Sequence, residues 1–169
     1  MKKMILAVSL LVILVGCNAS EEVKARRLAQ KYLQTFYDTT ELDLEYRCVK
    51  VECSFDNEIY KLDRIDSIVT EEFKNAILKN RRISILYRLS YDFDTRIKLS
   101  DYTLTSEEFT DNSVTISYVI DVELIEYDEI IKGIEGQLTI NKVNEEWVVG
   151  SETNSAKKYF AEFITNKEN

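Results

Sequence analysis

Carboxylates and phenols in the middle of the chain are its only material for catalysis. Asp92, Asp94, Asp101, Asp121 and Glu123 fall in or near strand-like segments, beside the tyrosines at 87, 91, 102 and 118. A carboxylate buried near an apolar substrate has a raised pKa and can act as a general base at neutral pH. Strand alternation sets Asp121 opposite the apolar face that carries Tyr118, so these two are expected not to share a pocket. The five acids therefore read as solvated strand-face groups. Asp92-Phe-Asp94 alternates oxygens as a calcium loop does, but the central Gly and final Glu of an EF-hand do not follow. The chain of 169 residues has no histidine, which excludes Ser-His-Asp and Cys-His catalysis and imidazole metal sites. Gly133, Gly136 and Gly150 stand in no phosphate-cradling pattern such as GxxxxGK[ST] or GxGxxG. No catalytic residue, cofactor-binding residue or metal ligand is assigned, and the chain is read as noncatalytic.

The amino terminus carries a different kind of signal. Lys2 and Lys3 precede a run from Met4 to Val15 that is apolar except for Ser9, followed by Gly16 and Cys17. A positive start, a short apolar run and a small residue before the cut are the three parts of a secretory signal. The run is also shorter than the roughly 20 residues a membrane-spanning helix needs. Leu14-Val15-Gly16-Cys17 resembles the lipobox of bacterial lipoproteins. The resemblance implies a signal peptide over residues 1–16, a diacylglycerol on the Cys17 thiol, and acylation of the amine that cleavage exposes. Residues 17–20 would be a lipidated tether, and residues 21–169 one domain on the extracytoplasmic face of the cell membrane. Two or three acyl chains hold a protein far better than one, at about 0.8 kcal/mol per buried methylene.

With Cys17 acylated, Cys48 and Cys53 are the remaining thiols, and export places them where disulfides persist. Side chains five apart on a straight strand point to opposite faces, so a bridge needs a tight turn or bulge between them. A small loop-closing disulfide is favoured over two free thiols. Removing the signal peptide takes two lysines, and the formal charge of −8 falls to −10. A body so acidic is repelled by phosphates, so no nucleic-acid partner is expected.

The elements that must position these residues show as periodicities. Ala25, Leu28, Ala29, Tyr32, Leu33, Phe36 and Tyr37 recur at three and four, which predicts an amphipathic helix from Glu21 to near Asp38. Leu42 to Val51 alternates as a half-buried strand does. Thr70-Glu71-Glu72 is a cap signal for a second helical stretch, which Asn80-Arg81-Arg82 can interrupt. Strands are predicted over Ile97–Leu104, Val114–Tyr127, Gly136–Val143 and Trp147–Ser151, and a closing helix over Ser155 to about Thr165. Val114, Ile116, Tyr118, Ile120, Val122 and Leu124 share one face of the longest strand. Helices first and strands afterwards describe an α+β domain, with the helices on one face of a curved antiparallel sheet.

This order, with the Gly136-Gln-Leu-Thr-Ile-Asn-Lys-Val-Asn-Glu-Glu-Trp-Val-Val149 hairpin, resembles the NTF2-like, cone-shaped α+β superfamily over roughly residues 21–152, with an extra C-terminal helix. The resemblance implies a pocket between sheet and helices. Some members use a pocket carboxylate as base and a Tyr hydroxyl to stabilise an enolate, as ketosteroid isomerase does. Others are structural parts of transfer machines. Three readings follow. The first is a membrane-tethered noncatalytic module that binds a protein partner or a small apolar ligand. The second is an isomerase or hydratase working through a Tyr and carboxylate pocket. The third is an accessory lipoprotein of a secretion, conjugation or prophage system.

Overall fold

The computed structural model describes residues 21–41 and 51–167. Helix α1 covers residues 21–36, α2 Val51–Asp66, α3 Glu71–Lys79 and α4 Arg82–Asp92. Strands β1 (Ile97–Phe109), β2 (Ser113–Leu124), β3 (Glu129–Val143) and β4 (Glu146–Asn154) follow, then α5 (Ala156–Lys167). The strands form one antiparallel meander in the order β1-β2-β3-β4. The fold is thus the expected one: α+β, with N-terminal helices on a curved antiparallel sheet in the NTF2-like manner and an added C-terminal helix.

Local chemistry accounts for the element ends. Thr70 accepts the Phe73 amide hydrogen at 3.1 Å, and Glu71 and Glu72 lie in the first turn, where the helix dipole favours negative charge. Arg81, in the left-handed region at φ 51°, ends this unit and turns the chain into α4, so the stretch is two helices. Asn144 and Glu145, at φ 51° and 68°, make the two-residue turn between β3 and β4. Two positive φ values in succession match the twist of a hairpin, and Asn tolerates them better than most residues.

Packing follows the periodicities. Ala25, Ala29, Tyr32, Leu33 and Phe36 of α1 and Tyr37 just after it are buried, and so are all six residues of the β2 face from Val114 to Leu124. They belong to one hydrophobic cluster with Phe73 and Ile77 of α3, Leu86 of α4 and Phe160 of α5. Beyond α1, Thr39 fixes the chain to the start of β1: its amide donates to the Ile97 carbonyl at 2.8 Å, and its hydroxyl accepts the Ile97 amide at 2.7 Å. At the far end of the sheet, Trp147 donates to Glu21 of α1 at 2.8 Å.

Several expectations need correction. Val51, predicted as the end of a strand, opens helix α2, which the sequence reading did not contain. The rest of that alternation, over residues 42–50, lies outside the described residues. Leu62 and Ile65 of α2 are buried and, with Ile68 and Val69, carry the helix onto the core. The predicted strand over Val114–Tyr127 ends at Leu124, and Ile125–Tyr127 is a single 3-10 turn. β3 starts at Glu129, ahead of the predicted Gly136, and β4 runs on to Asn154.

Candidate functional site

The five acids raised as catalytic material do not meet in a pocket. Asp92 pairs with Arg88 on the exposed side of α4 at 3.1 Å, and Asp94 is an exposed turn residue. Asp101 is exposed and accepts the amide of Tyr102 at 2.8 Å. Asp121 accepts the amide of Gly133 at 2.9 Å, and Glu123 shares its face of β2, opposite the buried face of Tyr118. Of the tyrosines grouped with them, Tyr118 alone faces the polar centre of the fold.

That centre is Glu152, which the sequence reading did not single out. Its side chain is 0% exposed. Oε2 accepts the Tyr32 hydroxyl at 2.7 Å and pairs with the Arg82 guanidinium. Oε1 accepts Tyr37 at 3.3 Å, Asn154 Nδ2 at 2.9 Å, and the hydroxyl of Tyr118. Asn154 also donates to the Tyr37 oxygen at 2.9 Å. α1 supplies Tyr32 and the turn just after it Tyr37, β2 supplies Tyr118, the start of α4 supplies Arg82, and β4 supplies Glu152 and Asn154.

A register shift in β4 creates this arrangement. Thr139 pairs with Ser151 while Ile140 pairs with Val149, so Gly150 is an extra residue with no partner of its own. Without the bulge, the face of Trp147 and Val149 would continue through 151 and 153. With it, the inward face continues through Glu152 and Asn154. A glycine inside a strand is the sequence sign of such a bulge.

Charge and burial set the protonation of the cluster. Burial first, and then the charge of Glu152, hold the hydroxyls of Tyr32, Tyr37 and Tyr118 well above the usual phenol range. Burial, the largest single influence on Arg82, lowers its pKa, but the combined pull of Glu152, Tyr32 and Tyr37 outweighs it and the guanidinium is held more firmly protonated. Such phenols are neutral in the folded chain at a pH where the unfolded chain would ionise them. Their stabilisation is intact below the unfolded value near pH 10 and is lost progressively as pH rises above it. In a phenolate absorbance titration these three tyrosines should appear only together with loss of the near-ultraviolet circular dichroism. If every tyrosine titrated near pH 10 with that signal intact, the buried cluster would be contradicted.

A pocket of about 300 Å³ opens beside the cluster, between α1, α4 and α5. Phe36, Ile85, Leu86, Ala156 and Phe160 make its apolar wall, and Tyr37, Asn80, Arg82, Asn154 and Lys157 its polar side. The Arg82 guanidinium lies 5.3 Å from the Phe36 ring centre and 6.0 Å from that of Phe73, so cation–π contacts fix its plane. A second hollow, which Glu152 lines, shares Asn80, Arg82 and Asn154 with the first.

Another buried polar group stands apart from this site. Lys61, 0% exposed, donates to Glu41 at 3.0 Å and to the carbonyl of Asp38. Tyr87 reaches the same carboxylate at 3.4 Å, while Arg64 sits 3.4 Å from Oε2 without hydrogen-bond alignment. Burial lowers the pKa of Lys61, against the opposing pull of Glu41. This group ties the end of α1 to α2 and faces no described pocket.

Among the described residues, no group of three or more Cys, Asp or Glu is placed to hold a metal ion. None of the described helices is long and apolar enough to cross a membrane. Cys17 and Cys48 lie outside the described residues, as does the side chain of Cys53 in the first turn of α2, so the lipidation and disulfide expectations stand on sequence. Fold and site together define an α+β domain, compatible in fold with the NTF2-like superfamily, that encloses a carboxylate ringed by donors. No protein-family model and no curated protein matches the chain.

Proposed function

We propose that this protein is a lipoprotein tethered through Cys17 to the extracytoplasmic face of the cell membrane, and that its folded part is a noncatalytic module binding a small apolar ligand in the pocket between α1, α4 and α5. The observation that carries the noncatalytic reading is the environment of Glu152. A carboxylate offers about four lone-pair sites. Here its two oxygens take five donors, from Tyr32, Tyr37, Tyr118, Arg82 and Asn154. A general base needs a lone pair directed at the substrate proton. Glu152 has none to offer, and its charge is matched by Arg82. The arrangement holds a pocket wall in place and does not move a proton. The pocket itself supports the small-ligand reading, since it combines an apolar wall with a few convergent polar groups.

The tether is tested by Cys17→Ser. The expected result is loss of radiolabelled palmitate, with either release of a folded soluble domain or accumulation of unprocessed precursor. Processed Cys17→Ser protein still bound to membranes would overturn the anchor. The pocket is tested with a neutral probe, 1-octanol, measured by calorimetry. Ala156→Leu, which narrows the pocket, should weaken octanol binding, and unchanged affinity would remove the pocket as the site.

A further inference from the structure

Resting on the pocket reading above, we infer that the ligand is an anionic amphiphile: a single apolar chain of medium length with one carboxylate head, held by Arg82 and Lys157.

Size comes first. The pocket, of about 300 Å³, lies at the small end of the range for small-ligand sites, which suits a single medium-length chain. The sign of the head comes from the distribution of charge. The chain has 30 acidic residues against 22 basic ones, yet the pocket wall contains Arg82 and Lys157 and no carboxylate. Glu152, the partner of Arg82, has a side chain 0% exposed and lines the neighbouring hollow instead. Because Glu152 matches Arg82, the charge on the pocket wall beyond that pair is that of Lys157, and a cationic ligand would meet no carboxylate on that wall.

Arg82 has the means to take a head group. Its contact with Glu152 runs through one terminal nitrogen, and a guanidinium has five N–H donors. The side chain remains 17% exposed, and Phe36 and Phe73 hold its plane. A planar fork of this kind matches a carboxylate. Lys157, exposed on the first turn of α5, adds a second charge at the rim, and Asn80 offers an amide donor beside it. Phe36, Leu86 and Phe160 receive the chain.

The test uses the full-length lipidated protein in phosphatidylcholine nanodiscs, with empty nanodiscs titrated as the reference. Octanoate, 1-octanol and octylammonium are the calorimetric probes. Octanoate should bind about tenfold more tightly than octanol, a ratio within the range of one charge-assisted contact, and octylammonium should bind most weakly. Lys157→Glu, at an exposed position, should reduce octanoate affinity by about tenfold and octanol affinity far less. Arg82→Gln combined with Glu152→Gln removes both buried charges while keeping hydrogen-bonding groups, and should also abolish the preference for octanoate. Equal binding of octanoate and octanol, or octanoate affinity indifferent to both variants, would overturn the anionic head and leave the pocket standing. If none of the three probes bound, the pocket reading would fall with it.

Discussion

Arg82→Leu is expected to lower the free energy of unfolding by about 3 kcal/mol, a large share of the roughly 5–15 kcal/mol that holds a domain together. The reason lies in what is left behind. Glu152 is fully buried, and Arg82 is its charge partner. Removing one member of a buried pair strands an uncompensated charge, and the cost exceeds anything the pair contributed while intact. The figure sits at the low end of the usual range because Arg82 keeps 17% exposure and water can partly replace it. Adding Glu152→Gln to Arg82→Leu should reduce the loss. The amide oxygen still accepts from Tyr37, Tyr118 and Asn154, and no charge is left buried. Urea unfolding of the two variants decides the matter. A loss below about 1 kcal/mol for Arg82→Leu, or a double variant less stable than the single one, would show that the charge of Glu152 is not what Arg82 neutralises.

Gly136→Val should cost a similar amount, about 3 kcal/mol, by combining overpacking with a lost hydrogen bond to a charged group. Gly136 pairs with Tyr118 across β2 and β3, and the phenol ring lies over its Cα. A Cβ there would fall 2.7 Å from the Thr153 carbonyl oxygen and closer still to the end of the Tyr118 ring. The backbone carbonyl cannot give way, so the ring must move, and its hydroxyl then leaves Glu152. Double-mutant cycles separate the two parts. Tyr118→Leu removes the ring, so it should make Gly136→Val less costly. Tyr118→Phe keeps the ring but has no hydroxyl to lose, so it should remove the hydrogen-bond part of the cost and leave most of the overpacking part. If Gly136→Val stayed within about 0.5 kcal/mol of the wild type, the close approach of ring and backbone would be wrong.

Both predictions concern residues whose importance the sequence conveyed unevenly. Tyr32 and Tyr37 were legible as members of an apolar stripe, and they are buried as that stripe requires. Nothing in the spacing told that their hydroxyls converge on one acid far along the chain. Arg82 was legible as a break between helical stretches, which it borders, but not as a buried cation. Asp121 was correctly set opposite Tyr118, because β2 keeps strict alternation from Val114 to Leu124. Glu152 escaped because the expected strand stopped at Ser151, and because the two-residue period, carried past Val149, leads to 151 and 153. Gly150 was the available sign of the bulge. A lone glycine in a strand does not by itself say which way the register moves.

Sequence alone determined the α+β class, the Thr70 helix cap, the inward face of the longest strand and the exclusion of histidine chemistry, and it supplies the reason to look for a lipid at Cys17. These are local properties, written in side-chain type and in periods of two and 3.6 residues. Tertiary structure decided that the chain encloses a ringed carboxylate with a pocket beside it, rather than an open catalytic acid. That outcome depends on a one-residue shift of β4 against β3 and on the approach of α1 and α4 to the sheet. Pairing between strands and burial between layers fix such relations, and neither is a property of any short stretch of residues.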